Sequence, residues 1–474
     1  MEKWVSFERK LQVLDSARKP LHFQNTCDII QFIPGRSVAW LSAPAWGAGG
    51  RWFESSRPDH NAPVAQMEEQ RFPKPLAGGP NPLGRTNFKD NTMEEKIVVQ
   101  DVEKERYASF SFIPWWDQEK IKKSRVMVVG AGALGNEVLK NLALIGIGNI
   151  FLIDYDKIVN ADLTRSVLYR QEDEGKDKAA IATERIRQIN PDVLIQYISG
   201  DVIWDIGLGL FRQMDVIIGC VDNREARLFI NQACWKVNKP WIDGGIDVLN
   251  GVVSVFIPGQ GACYECTLTD MDYKILGAKY SCPLLRYQDL TSGKVPTTPT
   301  TAAIIAGLQV QETLKLLHQM NVPSGKGIIF NGFTYESYLV EYPEKKNCLS
   351  HERYQPIIEI NHDSSITFGQ LLTIAEGYLG KGSFLELDRD IIWRLECKEC
   401  NYQKLLLRVL GKVTFEEGSC PECNKPCHLE MRHIITRDDD LLLDKTLAQV
   451  GIPDLHIIAV RRDEEVCYLE LKGR

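Results

Sequence analysis

A turn built from three glycines is the first stretch of this sequence that could bind a phosphate. Gly130, Gly132 and Gly135 follow an apolar run at residues 126–129 and open a segment whose apolar residues recur at helical spacing. Glycines let the backbone approach a phosphate, and the free N–H groups at a helix start favour an anion. Asp154 ends the next apolar run, where an acid can bind a ribose. The pattern predicts a βαβ nucleotide site, and dehydrogenases, flavoproteins and other nucleotide-binding proteins share it.

Charged residues crowd the segment that follows Asp154. Asp156, Asp162 and Arg165 lie in one short stretch, and Lys178 opens the next helical pattern. A nicotinamide cofactor would need only the ribose acid at this place. Two cations and several carboxylates instead suit a triphosphate with a metal ion, because they stabilise charge while it moves between phosphates. These residues therefore predict a site for ATP and Mg²⁺.

Asp222 and Asn223 directly follow another apolar run. In open α/β sheets the ligand lies outside the carboxyl ends of the strands, so we expect Asp222 to face the same crevice as Gly130 and Asp154. At that place a carboxylate can bind magnesium. An acid just after a strand is also a common helix N-cap, so the residue alone does not decide between the two roles.

Several cysteines are spaced like metal ligands. Cys397 and Cys400 form one Cys-x-x-Cys pair, Cys420 and Cys423 form another, and the segment between the pairs can form a β-hairpin. This arrangement is typical of a zinc ribbon. Four thiolates leave no open position on Zn²⁺, so we expect this zinc to be structural and not catalytic.

Other metal ligands remain open at this point. Cys427 and His428 are spare ligands beside the ribbon, and Cys263 and Cys266 are only half of a tetrahedral site. Cys282 stands outside any pair, ahead of a Thr- and Pro-rich segment that caps a helix. The positive end of that helix would favour a thiolate.

Alternating strand and helix patterns must position these residues. From residue 126 to residue 245 short apolar runs alternate with helical patterns, and one helix is predicted near residues 204–212. Such alternation predicts an α/β fold with a mostly parallel, Rossmann-like, doubly wound sheet covered by helices on both faces. The last part of the chain shows a shorter α+β pattern.

Composition excludes several classes of partner. The net charge of −7 and the pI of about 5.8 give no basic footprint for nucleic acid. We find no apolar run of about 18 residues, so we expect no membrane span. The chain lacks a clear signal peptide and uses its cysteines in pairs, which indicates a reducing, cytoplasmic location.

We divide the chain into three regions. Residues 1–92 are dense in Pro, Gly, Arg and Ser and lack hydrophobic periodicity, so we interpret them as a disordered or spurious leader. Two pieces of this leader resemble conceptual translations of transfer-RNA genes, and we expect the natural start at Met93. Residues 93–343 form the predicted α/β domain, with a cysteine crossover loop at about 259–298. Residues 344–474 form a second domain, with the zinc ribbon at about 394–430.

Four motifs in order make a family resemblance specific. They are GAGALG, D-x-D with D-L-x-R, G-K-x-K-A and V-D-N-R-x-x-R, and the likeness covers about residues 106–319. The set resembles the ThiF/HesA superfamily of adenylyltransferases, which activate ubiquitin, ubiquitin-like or sulfur-carrier proteins. The resemblance implies that Asp154 binds ribose, Arg165 and Lys178 bind phosphates, and Asp222 binds magnesium. Asp162 stands where the family usually has Asn.

The same resemblance implies a partner subunit, because this superfamily usually pairs its adenylation domains. We therefore expect a homodimer. The family begins with an Arg-Tyr-x-Arg segment whose second arginine reaches the ATP of the partner subunit. Here that segment runs from Arg106 to Ser109, so Ser109 replaces the second arginine.

The resemblance also assigns the remaining cysteines. In the ubiquitin-activating branch a second pair completes the first zinc site, which here makes Cys348 and His351 the partners of Cys263 and Cys266. The family usually has Cys where His351 stands, and His is an accepted zinc ligand. The thioester cysteine of that branch lies in the crossover loop, which makes Cys282 the candidate nucleophile.

We therefore expect an activating enzyme for a small protein that ends in Gly-Gly. The tail resembles the ubiquitin-fold domain by which such enzymes bind a conjugating enzyme, and sulfur-carrier adenylyltransferases usually lack it. The rival within the class is a sulfur-carrier adenylyltransferase that forms no thioester. From other classes, a NAD-binding oxidoreductase and a zinc-ribbon adaptor remain possible readings of the sequence.

Overall fold

A computed structural model describes residues 105–274 and 297–473. The predicted leader at residues 1–92 and the predicted nucleophile Cys282 lie outside the described residues. Two sheets organise the described part, one with eight strands and one with six. No helix in these two ranges is both long enough and apolar enough to cross a membrane.

The eight-stranded sheet carries the predicted nucleotide motifs. Its strands are β1 (Arg125–Val129), β2 (Asn149–Asp154), β3 (Leu194–Ser199), β4 (Val216–Gly219), β5 (Trp241–Asp247), β6 (Asn250–Phe256), β7 (Lys326–Asn331) and β8 (Glu336–Glu341). They lie in the order β3-β2-β1-β4-β5-β6-β7-β8. The first five strands in that order are parallel, and β6, β7 and β8 add antiparallel pairs. The predicted mostly parallel, doubly wound sheet is confirmed.

Helices cover both faces of this sheet. They are α1 (Gln118–Lys123), α2 (Ala133–Ile145), α3 (Lys178–Ile189), α4 (Leu208–Gln213), α5 (Arg224–Lys236), α6 (Tyr264–Thr267) and α7 (Pro299–Leu317). Helices α2, α3 and α7 share one buried core, and α4 and α5 share a second core on the other face. Helix α2 ends at Gly146, whose φ of +83° is a left-handed conformation that glycine adopts at low cost.

One predicted helix is shorter than its pattern indicated. The helix expected near residues 204–212 begins only at Leu208, after the N-cap Gly207. Residues 200–207 instead form a loop, which we call the β3–α4 loop. Tertiary contacts override the local pattern here, because a Cβ on Gly207 would lie 2.4 Å from the backbone of Leu455, and Gly209 N–H donates to Leu455 O at 2.7 Å.

The six-stranded sheet forms the C-terminal domain. Its strands are β9 (Ile357–Glu359), β10 (Phe384–Glu396), β11 (Gln403–Val409), β12 (His428–Ile435), β13 (Ile457–Arg462) and β14 (Glu465–Glu470). Helices α8 (Phe368–Leu379), α9 (Asp440–Leu443) and α10 (Leu447–Val450) accompany them. The long strand β10 pairs with β11, β12 and β13. The predicted ribbon therefore extends the domain's own sheet.

The C-terminal domain shares a hydrophobic core with the larger domain. Ile457 and Tyr468 from β13 and β14 pack in one buried cluster with Phe211 and Ile230 from α4 and α5. Arg212 on α4 also forms an ion pair with the buried Glu470 at 2.5 Å. Because one core and buried charges join them, we describe the two domains as a single packed body.

Candidate functional site

The glycine turn has the geometry that its sequence requires. A Cβ on Gly130 would lie 2.5 Å from Cys220 O, and a Cβ on Gly135 would lie 1.9 Å from Gly130 O. Gly130 also has a φ of +98°. By contrast, nothing lies within 4 Å of the Cβ position of Gly132, the N-cap of α2. This leaves open space in front of a helix N-terminus, where a phosphate can approach the backbone.

Two buried polar side chains hold the turn, and the sequence reasoning missed both. Asn136 Nδ2 donates to Ala131 O at 2.7 Å, and the Tyr169 hydroxyl donates to the same oxygen at 2.6 Å. Asn136 Oδ1 accepts from Leu168 N–H at 2.9 Å. Both side chains are buried, so these bonds fix the turn without help from solvent. Asn136, inside an apolar helical pattern, was the available signal.

Asp154 lies at the end of β2 and faces the turn. Its carboxylate accepts from Ala131 N–H at 2.6 Å and from Asp156 N–H at 2.7 Å. Burial raises the pKa of Asp154 to about 6, although these N–H donors and the charge of Lys178 oppose the rise. The residue predicted to bind ribose is therefore attached directly to the residue between the first two glycines.

Lys178 is the central cation of the site. It is 7% exposed, and its Nζ lies 2.9 Å from Asp156 Oδ2 and 3.5 Å from Asp162 Oδ2. Arg165 contacts the other oxygen of Asp162 at 2.9 Å. Burial alone would lower the pKa of Lys178, but the hydrogen bond to Asp156 and the neighbouring carboxylates raise it above its usual value. Both predicted phosphate-binding cations are charged and held by acids next to Asp154.

The loop after β4 brings Asp222 and Asn223 to the same edge of the sheet. Asp222 is exposed, whereas Asn223 caps α5 by accepting from Ala226 N–H at 2.8 Å. Burial raises the pKa of the Tyr155 phenol, and the charges of Asp156 and Asp222 raise it further. Carboxylates from the β2 and β4 ends thus act on one phenol, as expected for strands that flank β1.

Arg227 anchors the β4 loop, and sequence reasoning missed this residue too. Its guanidinium contacts Asp243 at 3.0 Å and donates to Val221 O at 2.8 Å and to Gly244 O at 3.0 Å. The donor set of the crevice fits a magnesium-bound triphosphate: open space at Gly132, two cations, and carboxylates at neighbouring strand ends.

The first predicted metal cluster assembles from two distant segments. Cys263 Sγ lies 3.5 Å from Cys348 Sγ, and Cys266 Sγ lies 3.5 Å from His351 Nε2. All four ligand atoms lie within 4.8 Å of one another, as a tetrahedral zinc site requires. The His351 ring stacks on Trp235 with centroids 4.1 Å apart. Burial lowers the pKa of His351, which favours the neutral form that binds metal.

The second cluster lies in the ribbon. The Sγ atoms of Cys397, Cys400, Cys420 and Cys423 also lie within 4.8 Å of one another. Backbone N–H groups of Cys400 and Glu399 lower the pKa of Cys397 to about 7, which favours the metal-binding thiolate. Within residues 105–274 and 297–473 these are the two clusters of this kind, and neither includes the spare ligands Cys427 and His428.

The N-terminal segment lies away from the crevice of its own chain. The Arg106 guanidinium donates to Ile189 O at 3.1 Å, and Asn190 donates to the Tyr107 hydroxyl at 2.6 Å. Ser109 is exposed. These contacts place the segment near the amino ends of the parallel strands, opposite to the glycine turn.

A comparison with family models decides the class. The model described as "ThiF family" matches residues 104–350, which is more than half of the 474 residues. The chain belongs to the ThiF family. The family membership confirms the resemblance drawn from the four motifs, and the match spans the glycine turn, the charged cluster and the first metal cluster.

Curated relatives of this ThiF protein are named as activating enzymes. Ubiquitin-like modifier-activating enzyme 5 of Dictyostelium discoideum is 30% identical over 268 residues, which are 51% of this chain and 67% of the relative. The SUMO-activating enzyme subunit uba-2 of Caenorhabditis elegans is 37% identical over 158 residues, which are 32% of this chain and 27% of the relative. The rat modifier-activating enzyme 5 is 30% identical, and the matched part is 51% of its length. The chain thus spans about a quarter to two thirds of these relatives.

Solved structures with a similar fold include two of MccB from E. coli. The crystal structure titled MccB with ATP has a TM-score of 0.41 at 24% identity and covers 50% of this chain and 68% of that chain. The structure of MccB with N-formylated MccA has a TM-score of 0.44 at 23% identity and covers 52% of this chain and 75% of that chain.

The raised pKa of Asp154 predicts how nucleotide affinity depends on pH. A ribose hydroxyl donates to a carboxylate but less well to a carboxylic acid, so protonation below the pKa of about 6 should weaken binding. Relative to Asp154→Asn, the advantage of the wild-type protein for ATP should fall about tenfold per pH unit below 6. Calorimetry of both proteins at several pH values measures this ratio, in which the titration of ATP itself cancels. A ratio that is constant from pH 7.5 to 5 would contradict the assignment.

The two clusters predict two zinc ions per chain. Cys423→Ser should lose one of them because the variant removes a ligand of the ribbon cluster, and His351→Ala should lose the other. Cys427→Ser is the matched control, since Cys427 is buried beside the ribbon cluster but is not part of it. Elemental analysis of the purified proteins gives the stoichiometry. Loss of zinc from Cys427→Ser would show that the ribbon uses a different fourth ligand.

Proposed function

We propose that this ThiF protein activates a small ubiquitin-like protein. In this proposal it uses ATP and Mg²⁺ to adenylate the C-terminal glycine of that protein, forms a thioester on Cys282, and passes the activated protein to a conjugating enzyme. The names of the curated relatives support this class of reaction. The site geometry supports its first step.

The first step needs placement and charge stabilisation. A carboxylate oxygen of the C-terminal glycine attacks the α-phosphorus of ATP, the bond to the leaving oxygen breaks, and pyrophosphate departs. Negative charge then grows on the pyrophosphate. Lys178 and Arg165 are the cations that can stabilise it, and Asp222 is the carboxylate for magnesium. Asp154 would hold the ribose, and the backbone at Gly132 would face a phosphate.

The charged cluster around Lys178 is the observation that carries the proposal. A buried lysine is costly unless it is paired, and here the two carboxylates that pair it follow the ribose acid directly in sequence. A hydride-transfer site has no need of a second and third acid or of two cations at this place. The cluster therefore favours a triphosphate over a dinucleotide cofactor.

The second step would use Cys282. Its thiolate attacks the carbonyl carbon of the acyl-adenylate, a thioester forms, and AMP leaves. The last described residues before Cys282 are fixed near the nucleotide site, because Asp272 forms an ion pair with Arg224 at 3.1 Å, and Arg224 directly follows Asn223. Tyr273 also donates to the buried Glu265 at 2.9 Å. These contacts start the crossover loop close to the crevice.

Zinc would serve the architecture in this proposal. At the first cluster Zn²⁺ would join the segment that begins the crossover loop to the segment that enters the C-terminal domain. At the second it would hold the ribbon. With four protein ligands each, neither site offers Zn²⁺ an open position for chemistry. The homodimer and the conjugating partner are part of the proposal through the family resemblance.

Pyrophosphate exchange tests the adenylation step. Exchange of labelled pyrophosphate into ATP should require a ubiquitin-like protein that ends in Gly-Gly. Lys178→Met and Arg165→Ala should each lower the exchange rate about 100-fold or more, because each removes a cation at the developing charge. Lys176→Met is the matched control, since Lys176 pairs with Asp173 at 3.1 Å and is about half exposed. Exchange that needs no carrier, or that tolerates Lys178→Met, would contradict the proposal.

The same assay separates the two steps. Cys282→Ala should keep full pyrophosphate exchange but lose the thiol-labile adduct between the chain and the carrier on non-reducing gels. An adduct that persists in Cys282→Ala would move the nucleophile to another cysteine. Exchange without any adduct in the wild-type protein would restrict the function to adenylation, as in the sulfur-carrier alternative.

A further inference from the structure

The C-terminal domain reaches the rim of the nucleotide crevice through the ribbon. Lys412, at the end of the short helix Leu410–Lys412 that follows β11, forms an ion pair with Asp205 in the β3–α4 loop. Trp204 in the same loop packs against Gly411, where a Cβ would lie 2.1 Å from the indole ring. The buried Arg389 of β10 donates to Trp204 O at 3.3 Å. Three residues of the C-terminal domain thus hold one loop of the ThiF domain.

The loop connects this contact to the ribose acid in a few bonds. Asp205 uses one carboxylate oxygen for Lys412, and the other accepts from Asp201 N–H at 2.7 Å. The preceding residue, Gly200, donates its N–H to the backbone oxygen of Asp154 at 3.1 Å. Asp154 in turn holds Ala131 in the glycine turn. Lys412 therefore lies at one end of a continuous hydrogen-bonded path to the phosphate turn.

The loop also forms a wall of the crevice. The side chain of Asp201 accepts from Ile203 N–H at 2.8 Å. Its charge acts on the Tyr155 phenol together with those of Asp154, Asp156 and Asp222. Burial raises the pKa of Asp201, and the charge of Glu225 adds to the rise, whereas Lys412 opposes it. The β3–α4 loop therefore stands beside the carboxylates of the site, and its position affects the space that remains for a nucleotide.

We propose that Lys412 is a positioning residue for the nucleotide: through Asp205 it holds the β3–α4 loop against the end of β2, and this contact increases the affinity for magnesium-bound ATP. The C-terminal domain then has a role in the adenylation site itself, besides any role in binding a conjugating partner. The inference rests on the proposed function, since ATP is the ligand. It concerns residues that do not touch the reacting atoms.

Calorimetry with ATP and Mg²⁺ on the full chain tests the proposal. Lys412→Met and Asp205→Asn should each weaken ATP binding by about fivefold, the upper range for a partly exposed ion pair. Asn at 205 keeps an acceptor for Asp201 N–H and loses only the charge. Because both variants break one contact, the double variant should bind ATP as weakly as either single variant. Lys412→Arg, which keeps the charge, should restore most of the affinity.

Controls separate positioning from a loss of fold. Lys425→Met removes another ribbon lysine, which pairs with Glu399 at 2.6 Å, and should bind ATP like the wild-type protein. Zinc content and the urea midpoint should stay unchanged in all variants. Wild-type affinity in Lys412→Met, additive losses in the double variant, or an equal loss in Lys425→Met would each overturn the proposal.

The outcome is distinguishable from a failure of the proposed function. If the wild-type protein binds ATP but shows no carrier-dependent pyrophosphate exchange, the activating role falls and the positioning role of Lys412 is still measured by the same titrations. If the wild-type protein binds no ATP, both fall together. If exchange is intact and Lys412→Met binds ATP normally, only the positioning role is overturned.

Discussion

Charge compensation around one buried lysine is the constraint on which the crevice depends. Lys178 is almost inaccessible to solvent, and such a cation persists only when carboxylates pair it. Asp156 and Asp162 do so from the segment after β2, and Arg165 shares Asp162. The pairing fixes the direction of both cations before any ligand arrives. A site built this way pays little reorganisation when a triphosphate binds, which is the condition for electrostatic catalysis.

The parts of the site that could be predicted from sequence are those written in local spacing. The glycine turn, the charged run after Asp154 and the two ribbon pairs each need residues only a few positions apart, so the pattern itself constrains the chemistry. The strands and helices of the ThiF domain followed from hydrophobic periodicity for the same reason. The first metal cluster was harder, because Cys348 and His351 are far from Cys263 in sequence, and only the family resemblance paired them.

The parts that could not be predicted depend on contacts across the fold. Asn136 and Tyr169 both bond to Ala131, and nothing in the local sequence of Tyr169 indicates a partner so far away. Arg227 anchors a loop in the same way. The helix expected near residues 204–212 is shorter because the C-terminal domain occupies the space beside Gly207. In each case a tertiary contact outweighs a local preference.

The C-terminal domain is more closely joined to the ThiF domain than the sequence indicated. Its sheet contributes Ile457 and Tyr468 to the core under α4 and α5, and its ribbon is an extension of that sheet through β10. A domain held in this way cannot be treated as an appended tail. Its strands, its ribbon and the crevice form one mechanical unit, which connects the zinc-binding part of the chain to the nucleotide-binding part.

The measurement that tests the central claim most directly is a calorimetric titration of the full chain with ATP and Mg²⁺, repeated with NAD. The account predicts one nucleotide per chain, binding that weakens strongly when magnesium is chelated, and no heat with NAD. Binding of NAD at least as tight as that of ATP, or ATP binding that is indifferent to magnesium, would contradict it.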